Sequence, residues 1–158
     1  EKRGYTYGAK SGFSGSKFIG AFTASAGVKA ESTDSSVIEF MREMKDYVNG
    51  GITAEELDFT KKSLGQKDAL SYETAFQKAS FLRQISEYNL PKNFVDQQAE
   101  ILKNINKSDI DALSKKLLPY NNMAIVVVGD KKSIKDSLTK TGYEIIELNV
   151  NGDPVPVE

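Results

Sequence analysis

Arg3 and Tyr7, close to the start of the sequence, are the residues whose chemistry best suits a binding site. The Arg3 guanidinium offers a planar fork of N–H donors, and Tyr7 offers one O–H on a rigid ring. Donors of this kind on a strand can hold a peptide carbonyl, or stabilise the oxyanion that forms when the carbonyl is attacked. Tyrosines in strands also commonly pack against the sheet, so a purely structural role stays open.

Histidine and cysteine are both absent from the 158 residues. Zinc sites in proteins are built almost entirely from these two residue types together with some carboxylates, so we expect no zinc site in this chain. The chain also cannot form a Ser-His-Asp or a Cys-His arrangement. We therefore expect no catalytic residue and no cofactor in the chain itself.

The charge balance and the apolar runs exclude two further classes of partner. The chain has 21 basic and 22 acidic residues, whereas a nucleic-acid-binding protein needs an excess of Lys and Arg to displace counterions. The longest apolar run, residues 123–128, is far shorter than the roughly 20 residues that cross a bilayer. We expect neither nucleic acid nor a membrane segment, and the sequence leaves periplasm and cytoplasm equally open.

The acidic pairs and Gly129 could suggest functional sites, but each is better explained by a structural role. The acidic pairs Glu55/Glu56 and Asp109/Asp111 fall in the first turns of predicted helices, where carboxylates cap exposed N–H groups. Gly129 follows an apolar run, but a dinucleotide-binding turn needs three glycines in a set pattern. We expect Gly129 to serve close packing or a turn.

The hydrophobic periodicity predicts strands at both ends of the chain. Period-two alternation in Tyr5–Phe13 and Lys17–Val28, with the turn-forming Ser14-Gly15-Ser16 between them, predicts an antiparallel hairpin. The β-branched run 123–128 predicts a central strand covered on both faces, and residues 143–148 predict a last strand.

Helical spacing fills the middle of the chain. Val37 to Val48 predict one helix, which Asn49-Gly50-Gly51 end. Thr53 and Glu56 form a capping box before a long helical stretch that reaches about Leu90, with a break near Gly65–Ser71. The inner face of this stretch is predicted at Ala75, Ala79, Leu82 and Ile85, and two shorter helices and one more follow. This order predicts an α+β fold, with helices packed on one face of a mixed, mainly antiparallel sheet in a two-layer sandwich.

Three segments of the chain carry a resemblance to the M16 metallopeptidases, the family of pitrilysin, insulin-degrading enzyme and mitochondrial processing peptidase. Residues 1–8, EKRGYTYG, resemble the family signature R-E-K-R-G-x-x-Y. Residues 50–57 resemble its G-x-T-x-E-E-L segment. Residues 117–119 and 126–130 resemble its L-x-P and V-V-V-G-D segments, so the resemblance spans roughly residues 1–150.

This resemblance implies a function for the chain. In the family, two homologous halves close around an unfolded peptide; one half carries an inverted zinc motif, H-x-x-E-H, and the other contributes an Arg and a Tyr to the substrate. Because this chain has no histidine, it resembles the second, non-catalytic half, with residues 1–158 forming one domain. The implied partners are a catalytic M16 domain that holds zinc, in the same polypeptide or in a separate subunit, and a peptide substrate.

The family's functional residues map onto this chain only in part. Its Tyr falls on Tyr7, whereas its Arg falls one position before Glu1. Arg3 matches the second Arg of the signature, for which we expect a structural or supporting role, and we count it with Tyr7 as a candidate substrate-binding residue. The resemblance implies an incomplete domain, and exposed sheet edges would then favour self-association as a homodimer. An alternative is a protein-binding or assembly module of M16 descent without a role in proteolysis.

Overall fold

The computed structural model describes residues 4–69 and 73–156, with backbone alone for residues 67–69. Two strands come first and six helices follow. They are β1 (Thr6–Gly15), β2 (Gly20–Val28), α1 (Thr33–Gly50), α2 (Ala54–Ala69), α3 (Ala75–Tyr88), α4 (Phe94–Asn104), α5 (Lys107–Leu117) and α6 (Lys131–Leu138). Short 3-10 turns occur at Ala30–Ser32, Tyr120–Asn122 and Thr139–Thr141. The predicted α+β class is confirmed.

The chain divides into two compact units. The first unit contains the described residues of Glu1–Ser14, Gly20–Met44 and Tyr120–Glu158. The second unit contains Gly15–Ile19 and the described residues of Lys45–Pro119. The assignment of residues 1–158 to one M16-type domain stays a prediction.

Strands β1 and β2 pair in an antiparallel sheet, so the predicted hairpin is confirmed. The turn lies two residues later than predicted, because the hydroxyl of Ser16 accepts hydrogen bonds from the backbone N–H groups of Phe18 and Ile19. The Ser16 N–H donates in turn to the Ile19 carbonyl at 2.7 Å. Along β2, residues 22, 24, 26 and 28 are less exposed than residues 21, 23 and 27, as the alternation predicts. The prediction was wrong for Phe18 and Gly20, which are exposed although the alternation places them on the same face, and Ser25 is half-buried as well.

In the second unit, two helices begin with capping residues that lie three positions apart in the sequence. The Glu56 N–H donates to the Thr53 hydroxyl, and the Thr53 N–H donates to the Glu56 carboxylate at 2.8 Å. The same reciprocal pair joins Asn106 and Asp109 at the start of α5. Glu56 and Asp109 are therefore caps, as predicted. The prediction was wrong for Asp111, which lies beyond the first turn of α5 and pairs with Lys107.

The inner face that was predicted for the stretch containing α3 differs from the one observed. Helices α2 and α3 are separate, since Thr74 caps the start of α3. The predicted break at Gly65–Ser71 is not seen at residues 65–69, which belong to α2, and residues 70–71 lie outside the described residues. Ala75, Ala79 and Leu82 are exposed, however, and of the four predicted residues Ile85 alone is half-buried. The less exposed face of α3 instead carries Gln77, Ser80, Phe81 and Ile85, so the prediction of the other three placed the inner face on the wrong side of the helix.

The loop after α1 is held by a compact set of contacts to α5. The Lys107 ammonium donates to the Gly50 carbonyl at 3.1 Å and pairs with Asp111 at 2.7 Å. Gly51 has a φ of +65°, and a Cβ built on it would lie 1.8 Å from Oδ1 of Asp111. Only glycine fits here, because the backbone is left-handed and the space is already taken.

In the first unit, two segments that were predicted as strands do not form strands. Among the described residues, residues 123–128 join no sheet, although their composition is that of a strand. Val126 and Val128 are 79% and 94% exposed, so the predicted burial on both faces was wrong. The predicted last strand is also wrong, since Leu148 makes a single antiparallel bridge, to Pro154. Both segments lack the neighbouring strand that a β-ladder requires.

Apolar burial within the described residues is small. Val48, Leu118 and Ile134 are the buried hydrophobic residues, and no described side chain is completely enclosed. The chain exposes 12657 Å². Two separate compact units of half its mass would together expose only about 9500 Å². Large apolar side chains contribute to this exposed area, among them Phe18, Phe76 and Val128, which are 88%, 81% and 94% exposed.

One cluster of charges lies in the first unit. Glu147 pairs with Lys131 at 2.6 Å and with Lys135 at 3.6 Å, both from α6. The hydrogen bond from Lys131 is the main cause that holds the pKa of Glu147 below its usual value, and the charge of Lys135 adds to it.

We predict that Gly51→Ala lowers the free energy of unfolding by about 2 kcal/mol or more, because the new Cβ meets Asp111 and the left-handed backbone disfavours alanine. Gly50→Ala is the matched control. It has open space around it and ends a helix, so its effect should stay within about 1 kcal/mol. Urea denaturation of both variants measures the difference, and equal losses would show that the Gly51 loop is not constrained as described.

We predict that Lys131→Met raises the pKa of Glu147 toward its usual value, because the main hydrogen bond to the carboxylate is lost. A lowered folded-state pKa means that the pair stabilises the fold above the unfolded-state pKa. That contribution is lost as the pH falls through the folded-state pKa. Carboxyl-carbon NMR titration measures the shift, with Lys132→Met as the control, because Lys132 forms no ion pair with a described residue. An unchanged titration in Lys131→Met would refute the assignment.

Candidate functional site

Tyr7 lies near the start of β1, at the open end of the hairpin. The neighbouring Thr6 hydroxyl is 2.8 Å from the Gly8 carbonyl oxygen and 2.7 Å from that of Gly27 on β2. The Lys29 N–H donates to the Tyr5 carbonyl at 3.2 Å and closes the same end. These contacts on both sides of Tyr7 give its backbone a defined position in the sheet.

The Tyr7 side chain itself projects into solvent. It is 102% exposed, and its hydroxyl forms no hydrogen bond with a described residue. It therefore does not pack against the hairpin, which was the structural alternative. A phenol on a positioned strand with an unused O–H can donate to a carbonyl of a bound polypeptide.

Arg3, the second predicted binding residue, lies outside the described residues. Its role, and its distance from Tyr7, stay predictions. The structure therefore presents one of the two predicted donors and does not test whether they act together.

The described side chains do not offer a set of ligands that fits a bound zinc ion. Within residues 4–69 and 73–156 there is no group of three or more His, Cys, Asp or Glu side chains that could hold a metal. The best-placed carboxylates already have partners: Asp109 caps α5, and Asp111 pairs with Lys107.

Gly129 is a close-packing glycine. A Cβ on Gly129 would lie 3.2 Å from Cδ1 of Ile134, the buried residue of α6. This distance is tight, and it explains why a glycine follows the apolar run 123–128.

No helix of the described ranges is long and apolar enough to span a membrane.

A cavity in the first unit was not anticipated from the sequence. Its volume is about 280 Å³, and it lies among the second half of β2, the first part of α1 and residues 123–128. No local sequence signal predicts it, because its lining comes from three segments that lie far apart in the chain.

No protein-family model matches the chain, and no curated protein matches it either. Among solved structures, the chain is similar to a crystal structure of a peptidase M16 inactive domain from Pseudomonas fluorescens, with a TM-score of 0.70. The chain has the fold of that inactive domain. Sequence identity is 24%, and the match covers 75% of this chain and 28% of the other. The predicted fold is thereby confirmed, whereas membership of the M16 family stays a prediction.

Proposed function

We propose that this chain belongs to the non-catalytic half of an M16-type zinc metallopeptidase. In this proposal the chain helps to enclose an extended peptide, and a partner domain with H-x-x-E-H does the chemistry. The single observation that carries the proposal is the likeness to an M16 inactive domain at a TM-score of 0.70. Because the match covers 28% of that structure, the activity and partners of a whole protein are part of the proposal.

Tyr7 is the residue that we propose for contact with the peptide. Its exposed hydroxyl on β1 has no competing acceptor among the described residues, so it can donate to a backbone carbonyl of the substrate. Arg3 is proposed as a second, supporting donor. A peptide held at its backbone can be bound with little regard to its side chains, which suits an unfolded substrate.

Zinc, in this proposal, belongs to the partner domain. The chain has no histidine or cysteine, and its described carboxylates form no cluster that suits the metal. The chain's own contribution is therefore confined to binding and orientation of the peptide.

The experiment is hydrolysis of an internally quenched peptide by the zinc-bearing partner, with and without this chain. We predict that cleavage requires this chain and falls about tenfold or more in Tyr7→Phe, because one hydrogen bond to the reacting backbone is lost. Tyr143→Phe, in the same unit, is the matched control and should keep full activity. Tyr7→Phe should alter the free energy of unfolding by less than about 0.5 kcal/mol, since the side chain is exposed.

A partner that cleaves equally well alone, or a pair that never cleaves, would refute the peptidase proposal. The second candidate, an assembly or protein-binding module, would then take its place. The unusually large exposed surface favours that candidate, because uncovered apolar area is typical of protein interfaces. Under it, Tyr7→Phe leaves partner binding unchanged.

A further inference from the structure

An asparagine that is followed directly by glycine is a reactive pair, because the backbone nitrogen of the glycine can attack the side-chain carboxamide of the asparagine. The glycine carries no side chain that would obstruct this approach. The sequence contains two such pairs, Asn49-Gly50 and Asn151-Gly152. Neither pair belongs to the peptide contact proposed for Tyr7, so their chemistry is independent of the proposed function.

The reaction needs water as its only co-reactant. In the first step the glycine nitrogen bonds to Cγ of the asparagine and the Cγ–Nδ2 bond breaks. The proton of the glycine N–H leaves with the amide group as ammonia, and a succinimide ring remains. In the second step water opens the ring at one of its two carbonyl groups, which gives either aspartate or isoaspartate. Both products replace a neutral amide by a carboxylate, and isoaspartate also carries the main chain through its side-chain carbon.

The pair Asn49-Gly50 is held in a conformation that opposes this reaction. Both residues belong to α1, and the Gly51 N–H donates to the Tyr47 carbonyl at 2.9 Å, so helical hydrogen bonding continues past the pair. The Asn49 side-chain nitrogen donates to the Lys45 carbonyl, also at 2.9 Å, which holds the carboxamide against the preceding turn. Ring closure would have to break this bond together with the backbone bonds of the last helical turn.

The pair Asn151-Gly152 lies instead in an exposed turn. The Gly152 N–H donates to the Asn149 carbonyl at 3.0 Å, and the Asn151 N–H donates to Oδ1 of Asn149 at 2.8 Å. The Asn151 carboxamide forms no hydrogen bond with a described residue, so no contact of that kind restricts its rotation. A Cβ built on Gly152 would meet nothing within 4 Å apart from its chain neighbours, so there is space for the ring. The bond to the Asn149 carbonyl must open before attack, and single bonds in exposed turns open at little cost.

We propose that Asn151 is a site of spontaneous deamidation in the folded chain, whereas Asn49 is protected. Both asparagines precede glycine, so the local sequence makes them equally reactive. The fold distinguishes them, because one carboxamide is bonded within a helix and the other is free in a turn.

The modification changes the loop that residues 147–155 form. The Asn149 N–H donates to the Asp153 carbonyl at 2.9 Å, and the Val155 N–H donates to the Glu147 carbonyl at 2.8 Å. Isoaspartate at position 151 lengthens the main chain by one carbon between the two sides of this loop. Either product also places a new carboxylate close in sequence to Asp153, and like charges repel. We therefore expect the isoaspartate form to weaken the bond between Val155 and Glu147.

The test compares the two asparagines in the folded and the unfolded 158-residue chain. The chain is incubated at mildly alkaline pH with and without guanidinium chloride, and circular dichroism checks that it is folded or unfolded. Protease digestion and mass spectrometry then follow the conversion of each asparagine to the acid. We expect Asn151 to convert about tenfold or more faster than Asn49 in the folded chain. In guanidinium chloride the two should convert at similar rates.

Two further measurements assign the site and its effect. Asn151→Gln should abolish the conversion in the fragment that contains residues 149 and 151, because glutamine would have to close a larger and slower ring. Chromatography separates the isoaspartate form, in which the Val155 amide should exchange its hydrogen faster than in the unmodified chain.

Two results would overturn the proposal. Equal conversion of Asn49 and Asn151 in the folded chain would show that the fold does not select the site. Conversion of Asn151 in guanidinium chloride alone would show that the turn protects Asn151 as well as the helix protects Asn49. Both results come from the unmutated chain without a partner domain, so neither depends on the outcome of the peptidase experiment.

Discussion

Burial of apolar surface is the constraint on which this structure depends. The described residues enclose three hydrophobic side chains, Val48, Leu118 and Ile134, and expose far more area than two compact units of this size would. Hydrogen bonds within the helices and the hairpin define the described elements, whereas many of their large apolar side chains stay exposed. Val126 and Val128, beside the cavity of the first unit, are examples.

The sequence predicted best where the determining contacts are local. The capping box of Thr53 and Glu56 joins residues close together in the sequence, so it could be predicted directly. The end of α1 at Gly50 was also predicted, although Lys107 and Asp111 of α5 then hold that loop in place. The hairpin was also predicted, although its turn moved to the hydrogen bonds of Ser16.

The errors occurred where the determining contacts lie far apart in the chain. Composition alone predicted a buried strand at residues 123–128. A strand also needs a neighbouring strand, and the described residues provide none. Periodicity likewise assigned Leu82 to the inner face of α3, but its side chain is 66% exposed. In both cases the pattern marks apolar residues that the described part of the chain leaves exposed.

The candidate site was predictable in kind but only partly in place. The position of Tyr7 on a strand followed from period-two alternation, and its exposure agrees with a donor that faces a ligand. The family signature that suggested its role cannot be tested by a fold likeness at 24% identity. The cavity of the first unit was not predicted, because its lining comes from three segments that are distant in the sequence and no local pattern brings them together.

Amide hydrogen exchange of the 158-residue chain, followed residue by residue, tests the central claim most directly. The claim is that the first unit holds a strand-like segment without a partner. We predict strong protection for the paired amides of β1 and β2 and near-unprotected exchange for residues 123–128, which form no backbone ladder. Protection of residues 123–128 equal to that of the hairpin would show that this segment is already paired, and would contradict the account.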